Sequence, residues 1–336
     1  MNKKRIKKIL SKTIKEWLRS IDDAGLRREL EKEVIVTGGC IVSLLLNERP
    51  KDYDIYFTNK ETAKRVANYY VKKFNLLNKG RVNKFGYKTE AFVLDGVDVE
   101  AWKKGTKELG NIAPGFENQK PVSHMITTTD KDRIKIIVRS DGVAAERQEL
   151  LNDNFEDVYD VLGQADNLSA SSLDKDLPLY RPVFLSSNAI TLSGGIQLVI
   201  RFYGKADEIH SNYDFVHCTN YWTAGNNDLV LRPAALESIL AKELIYVGSK
   251  YPLCSIIRTR KFLKRGWYLN AGQYLKMCFQ LSLLDLTKIE VLSDQLVGVD
   301  SAYFMILIEA LSRRQDSDSA FELNYDYVSS IIDKIF

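Results

Sequence analysis

Apolar residues at the start of the chain recur at helical spacing. Ile6, Leu10, Ile14, Trp17 and Leu18 fall on one side of a helix over residues 2–20, and most of the rest of that stretch is basic. A second helix is expected over DAGLRRELEKE, capped by Asp22 or Asp23. The pattern then changes. VIVT (34–37) is a continuous apolar run ending in Gly38–Gly39, followed by a short apolar helix, a turn containing Pro50, and a second apolar run from Asp52 to Phe57. Asn59 is placed to cap a helix over residues 60–77, with Val66, Tyr70, Val71 and Phe74 on its buried side.

YKTEAFVLDGVDVEAW alternates apolar and polar residues around Asp95–Gly96 and predicts a hairpin. Residues 103–183 break the pattern. KPVSHMITTTDKDRIKIIVRS is β-rich, AAERQELLNDNFEDVYDVLG reads as a helix, and QADNLSASSLDKDLPLYRP as a loop or linker. Strands are expected again in NAITL, IQLVIRFYG and NYDFVHCTNYW, with KADEIHSN as a break. From Pro233 to the end the pattern is helical.

Composition changes this picture little. Hydrophobic residues make up 45% and charged residues 27%, as in ordinary globular proteins. A net charge of +4 does not by itself select a nucleic-acid partner, so local clusters matter more. The lysines of residues 3–15 are read first as a solvated helix face, with nucleic-acid contact as the alternative. Cys40, Cys218, Cys254 and Cys278 are too widely spaced for a zinc pattern and are expected to be free thiols in a reducing, cytoplasmic setting. No apolar run is long enough to span a membrane.

The chemistry concentrates in residues 34–57. In a strand, Asp52 and Asp54 project to the same face. Two carboxylates that close repel unless a cation lies between them, and hard divalent cations favour such oxygens. Thr37, Gly38 and Gly39 offer backbone groups and a hydroxyl to phosphates, and Lys51 stands beside the acids as a phosphate contact or a solvated side chain. Asp98 and Glu100 form a second acid-x-acid pair without a Gly-rich turn before it. Further on, SIIRTRKFLKRGW gathers Arg258, Arg260, Lys261, Lys264 and Arg265 with Phe262 and Trp267. That mixture suits phosphate contact and base stacking, or a solvated helix face.

Gly38, Gly39, Leu44, Leu45, Asp52, Asp54 and Ile55 together resemble the signature of the DNA polymerase beta-type nucleotidyltransferase superfamily. In particular, they resemble the head domain of CCA-adding enzymes and poly(A) polymerases. The resemblance implies an α+β fold, with a mixed sheet flanked by helices. It places the first part of the head in residues 1–102, a β-rich insertion in 103–183, the second part of the head in 184–232 and a helical domain in 233–336. It implies two Mg²⁺ ions (or Mn²⁺) held by Asp52, Asp54 and a third acid on a neighbouring strand. Asp214 is similar to that acid through Asp214-Phe-Val-His-Cys218, and Asp98 is the alternative. Arg258, Lys261 and Phe262, followed by Gly266, are similar to an Arg-rich segment after the head domain, so Arg258 and Lys261 are expected to contact nucleotide. The implied reaction transfers a nucleoside monophosphate from an NTP such as ATP to a hydroxyl, first of all an RNA or DNA 3′ end. A protein or small-molecule acceptor, and a non-catalytic binding module, are the competing readings. The chain as a whole also resembles proteins of phages and mobile elements.

Overall fold

Helix α1 (Lys3–Arg19) starts where the Asn2 side chain accepts the Arg5 amide at 2.9 Å. The computed structural model describes residues 2–80, 90–95, 133–138, 178–186 and 188–286, with isolated positions from 288 to 295 and at 326 and 329. Asp23 accepts the amides of Gly25 and Leu26 and opens α2 (Ala24–Glu33). The apolar run forms β1 (Val34–Thr37), and the Gly pair leads into the short helix α3 (Gly39–Leu45). Strand β2 (Tyr53–Phe57) follows. Asn59 then caps α4 (Lys60–Leu77), accepting the Thr62 amide at 2.8 Å. Trp17 Nε1 donates to the Tyr70 hydroxyl at 2.8 Å, tying α1 to α4 inside the core.

Strand β3 (Ala91–Asp95) pairs antiparallel with β4 (Ile134–Val138). The other arm of the expected hairpin, with Asp98 and Glu100, lies outside the described residues, as does the helix expected in 143–162. Next come β5 (Pro182–Leu185), β6 (Ala189–Leu192), β7 (Ile196–Tyr203), a short helix α5 (Ala206–His210), β8 (Tyr221–Thr223) and β9 (Asp228–Val230). Three further helices are α6 (Pro233–Ala241), α7 (Pro252–Leu263) and α8 (Ala271–Leu281).

Seven strands form one sheet in the order β5-β6-β7-β2-β1-β8-β9. Only β2 and β7 run parallel; the other neighbours are antiparallel, so the sheet is mixed. Alternation along the strands sorts its two faces. Val34, Val36, Ile55, Phe57, Leu198, Ile200 and Trp222 join the buried cluster that includes Ile6, Leu10, Trp17 and Phe74 of the helices. The opposite face carries a lateral row fixed by the register: Thr191, Gln197, Asp54, Thr37 and Tyr221 on five successive strands. The expected helix-flanked mixed sheet is therefore present.

Three local expectations are corrected. KADEIHSN contains α5, where Glu208 accepts the Lys205 amide. Of the strand expected over 212–222, only Tyr221–Thr223 is strand. Residues 216–219 form a 3-10 turn, because Phe215 bridges to Tyr246 and the Val216 amide donates to the Ile245 carbonyl. Helix α6 stops at Ala241, and Lys242 adopts φ +53°.

The described residues fall into two compact units. One contains the described residues up to Ser211 together with His217–Ile239. The other contains Asn212–Val216 and the described residues from Leu240 onward.

Candidate paired-carboxylate site

In the first unit, β2 carries the two acids. Asp54 is the second residue of the strand and half-buried, while Asp52 immediately precedes the strand and is exposed. Tyr53 between them points to the other face; its hydroxyl shares a hydrogen bond with Thr13 of α1, and burial raises its pKa. Asp54 lies on the strand face turned away from the helical core, and Asp52 immediately precedes the first strand residue.

The Gly pair lies close to these acids. Cys40, the second residue of α3, is fully buried, and its Sγ donates to the Thr37 carbonyl at 3.6 Å. Burial pushes the Cys40 thiol well up, and the negative charges of Asp54 and then Asp52 raise it further. Both carboxylates therefore act on an atom at the start of α3. Gly38 has φ +87° and ψ −151°, a region essentially restricted to glycine. Its amide donates to the Cys218 carbonyl at 3.2 Å. Gly39 is half-buried, with open space where a Cβ would lie. Lys51 is exposed in the bend before Asp52.

Thr37 is placed differently from expectation. It is fully buried, and its hydroxyl faces the carbonyls of Asn220 at 2.8 Å and Cys218 at 3.2 Å, and His210 Nε2 at 2.8 Å. The hydroxyl expected to meet phosphate is engaged inside the fold. Burial, then the charge of Arg232, lowers the His210 pKa to about 4, with Asp207 partly opposing. Arg232 pairs with Asp207, lies over the Tyr221 ring at 5.8 Å, and donates its backbone amide to Asn220 Oδ1 at 2.8 Å. His210, Asn220 and Arg232 thus anchor the end of β1. Sequence reading missed them, because α5 is too short to show a periodicity and Asn220 accepts through its backbone.

The strands beside β2 correct a further expectation. β1 and β7 flank it, and neither VIVT nor IQLVIRFY contains an acid. The positions paired with Asp54 are Thr37 and Gln197. Among the described residues, neither strand beside β2 supplies a third carboxylate.

Asp214 belongs to the second unit. It is buried, and its Oδ2 accepts Arg258 Nη1 at 2.6 Å. The Arg258 guanidinium, expected to contact nucleotide, is therefore engaged with the acid expected to bind metal. Lys261 is exposed on α7. Phe262 packs against Phe215 and Trp267, with centroids 6.2 and 5.5 Å away, and Trp267 is buried. The rings expected to stack on bases pack the second unit instead.

Two carboxylates two positions apart in the chain suit a hard divalent ion that keeps waters and substrate phosphates as its other ligands. Among the described residues no group of three His, Cys, Asp or Glu side chains could complete a protein-only metal cage. No described helix is long and apolar enough to cross a membrane.

The fold and site define an α+β protein with a mixed sheet and a pair of acids beside a Gly-Gly turn. The chain belongs to the Gabija anti-defense 2 family, whose sequence profile matches residues 8–242. That match runs from α1 through α6 and ends before α7. Among solved structures, a Thermotoga maritima CCA-adding enzyme complexed with tRNA is similar at 10% identity and a TM-score of 0.33. The likeness covers 80% of this chain and 45% of that one, so the chain spans less than half the length of that enzyme. No curated protein sequence matches.

Proposed function

We propose that this protein is a metal-dependent nucleotidyltransferase that moves a nucleoside monophosphate from an NTP to a hydroxyl. The observation that supports it best is the placement of Asp52 and Asp54. They stand two positions apart at the start of β2, and both act electrostatically on Cys40 in the first turn after Gly38–Gly39. Asp52 and Asp54 would hold Mg²⁺ or Mn²⁺, with Asp214 as the proposed third acid. The ion, when bound, supplies charge neutralisation on the triphosphate and acidifies the attacking hydroxyl. The hydroxyl oxygen bonds to the α-phosphorus, the bond to pyrophosphate breaks, and the hydroxyl proton passes to water.

The chain's own residues have distinct parts in this reading. The glycine-only backbone at Gly38 fixes where β1 ends and α3 begins, and the Thr37–His210–Asn220 contacts hold that end rigid. Gly39 leaves room for a phosphate to approach the main chain. Lys51 and Lys261 are the exposed cations proposed to meet nucleotide. A nucleic-acid 3′ end is the acceptor of the leading reading. A protein acceptor is the second, favoured by the burial of Trp267, which removes one stacking ring. The family's name speaks of anti-defense, and a modifying enzyme of a phage or mobile element would suit that role.

The test is incubation with each labelled NTP and Mg²⁺ against RNA, DNA and protein acceptors, beside the Asp52→Ala, Asp54→Ala variant. Transfer by the parent and none by the folded variant is expected. Transfer that survives both substitutions would overturn the assignment.

A further inference from the structure

Helix α1 breaks two electrostatic rules of helix stability. The N-terminus of a helix carries a partial positive charge and favours acids, yet the first turn holds Lys3, Lys4 and Arg5 and no acid. Like charges at i,i+4 destabilise, yet Lys3–Lys7, Lys4–Lys8, Lys8–Lys12 and Lys15–Arg19 are four such pairs. One acid, Glu16, offsets them, facing Lys12 at 3.8 Å. The helix has eight basic residues and one acid, a charge of +7; the whole chain carries +4, so the rest is at −3. The net positive charge of this protein therefore resides on one helix.

These charges line a concavity. Lys3, Lys4, Lys7, Lys8, Lys12 and Lys15 border a shallow, open depression of about 920 Å³ whose lining also includes Ser11, the acid Glu16, Arg19 and Asn227, the last in the turn between β8 and β9. Successive lysines along α1 repeat about every 5.4 Å, one per turn. Lining it are no aromatic or large apolar side chains, the anchors on which protein interfaces depend. A membrane surface would need the apolar side of α1 free to enter lipid, but Ile6, Leu10, Ile14 and Trp17 are buried in the core. A row of flexible point charges without apolar anchors suits a regular polyanion.

We infer that the lysine rows of α1 form a track for the phosphate backbone of a nucleic acid, engaged without base recognition. This rests on the electrostatics of α1 and does not depend on the nucleotidyltransferase reading.

The experiment measures binding of the full chain to a fluorescent 30-nucleotide RNA, the matching single-stranded DNA and the duplex, without NTP or Mg²⁺, across a salt series. Two triple variants are compared: Lys4→Gln, Lys8→Gln, Lys15→Gln on the track, and Lys72→Gln, Lys79→Gln, Lys205→Gln elsewhere on the same unit. All six lysines are exposed. The track variant is expected to bind at least about tenfold more weakly at low salt, with a log–log salt slope shallower by about 2 on single strands. Its melting temperature should be unchanged or higher, since like-charge repulsion is removed. The control triple should change affinity by less than about threefold. Binding should also persist in the Asp52→Ala, Asp54→Ala variant, which separates this inference from the catalytic one. Equal losses in the two triples, no binding to any of the three nucleic acids, or equally tight binding to polyglutamate or to anionic vesicles overturns it. The RNA, DNA and duplex arms identify which backbone the track prefers.

Discussion

His210 Nε2 and Thr37 Oγ1 share a hydrogen bond across 2.8 Å, joining residues 173 positions apart at the end of β1. Two carbonyls face the same hydroxyl, so its proton goes to one of them, and a lone pair is left for the imidazole N–H. The contact selects the Nε2–H tautomer, and burial keeps the ring neutral by lowering its pKa from 6.5 to about 4.

The first prediction is a stability change with pH. Between pH 6.5 and about 4 the unfolded chain binds a proton at His210 that the folded chain refuses. Folding stability should fall as pH drops through that window, by at most about 1.4 kcal/mol per unit, and level off below it. Asp22, Asp23 and Asp207 have carboxyls held below 3.8, so their contributions are lost only at lower pH. Urea midpoints across the window, compared with His210→Gln, check this. The variant keeps a donor for Thr37 and should show a flat profile from pH 6.5 to 4.

The second prediction separates the two glycines. Gly38→Ala forces a side chain into a glycine-only conformation and should cost about 1–3 kcal/mol. Gly39→Ala meets open space at the start of α3 and should stabilise by about 0.5–1 kcal/mol. If the Gly39 backbone receives phosphate, the same Gly39→Ala change should weaken NTP binding while it raises the melting temperature. Chemical denaturation and calorimetry with NTP measure both effects. A destabilised Gly39→Ala variant would show that the start of α3 is more crowded than its geometry indicates.

How far the sequence reveals the molecule depends on the range of each signal. Helices α1, α2 and α4 were legible because each has an apolar period over ten or more residues and a side-chain cap. Asp52 and Asp54 were legible because alternation is local. The pairing of β2 with β7 was not, since it joins segments more than a hundred residues apart, and with it went the finding that Gln197, not an acid, stands beside Asp54. Asp214 was expected to open a strand because Phe215 and Val216 favour β structure. That preference is met by a single bridge to Tyr246. The basic–aromatic run around Arg258 was read as a surface because charge and rings alternate there, yet Trp267 is buried and Phe262 half-buried against it.

The third prediction concerns metal. If Asp52 and Asp54 bind Mg²⁺ only in the folded protein, Mg²⁺ should stabilise it. At a hundredfold excess over its dissociation constant the gain is about 2.7 kcal/mol, or roughly 5–10 °C in melting temperature. The Asp52→Asn, Asp54→Asn variant should show no rise with metal. A metal-dependent rise that persists in the double variant would place the ion elsewhere.

The fourth prediction divides the two roles open to Asp214. Its carboxylate is buried against the Arg258 guanidinium, whose side chain keeps 35% of its exposure. Arg258→Met would leave that charge without its partner. The loss should reach about 2–3 kcal/mol, below the 3–5 kcal/mol of fully buried pairs because the arginine is partly solvated. Asp214→Asn should cost less, since an amide oxygen can still accept from the guanidinium. Combining Asp214→Asn with Arg258→Gln should recover part of the stability lost by Arg258→Met. If Asp214 is also the third metal carboxylate, this folded double variant should have no transfer activity, whereas Arg258→Lys, which keeps the charge, should retain some. If the pair is structural only, transfer should follow stability across the whole series and return in the double variant. Denaturation midpoints and label transfer, measured on the same four proteins, decide between them.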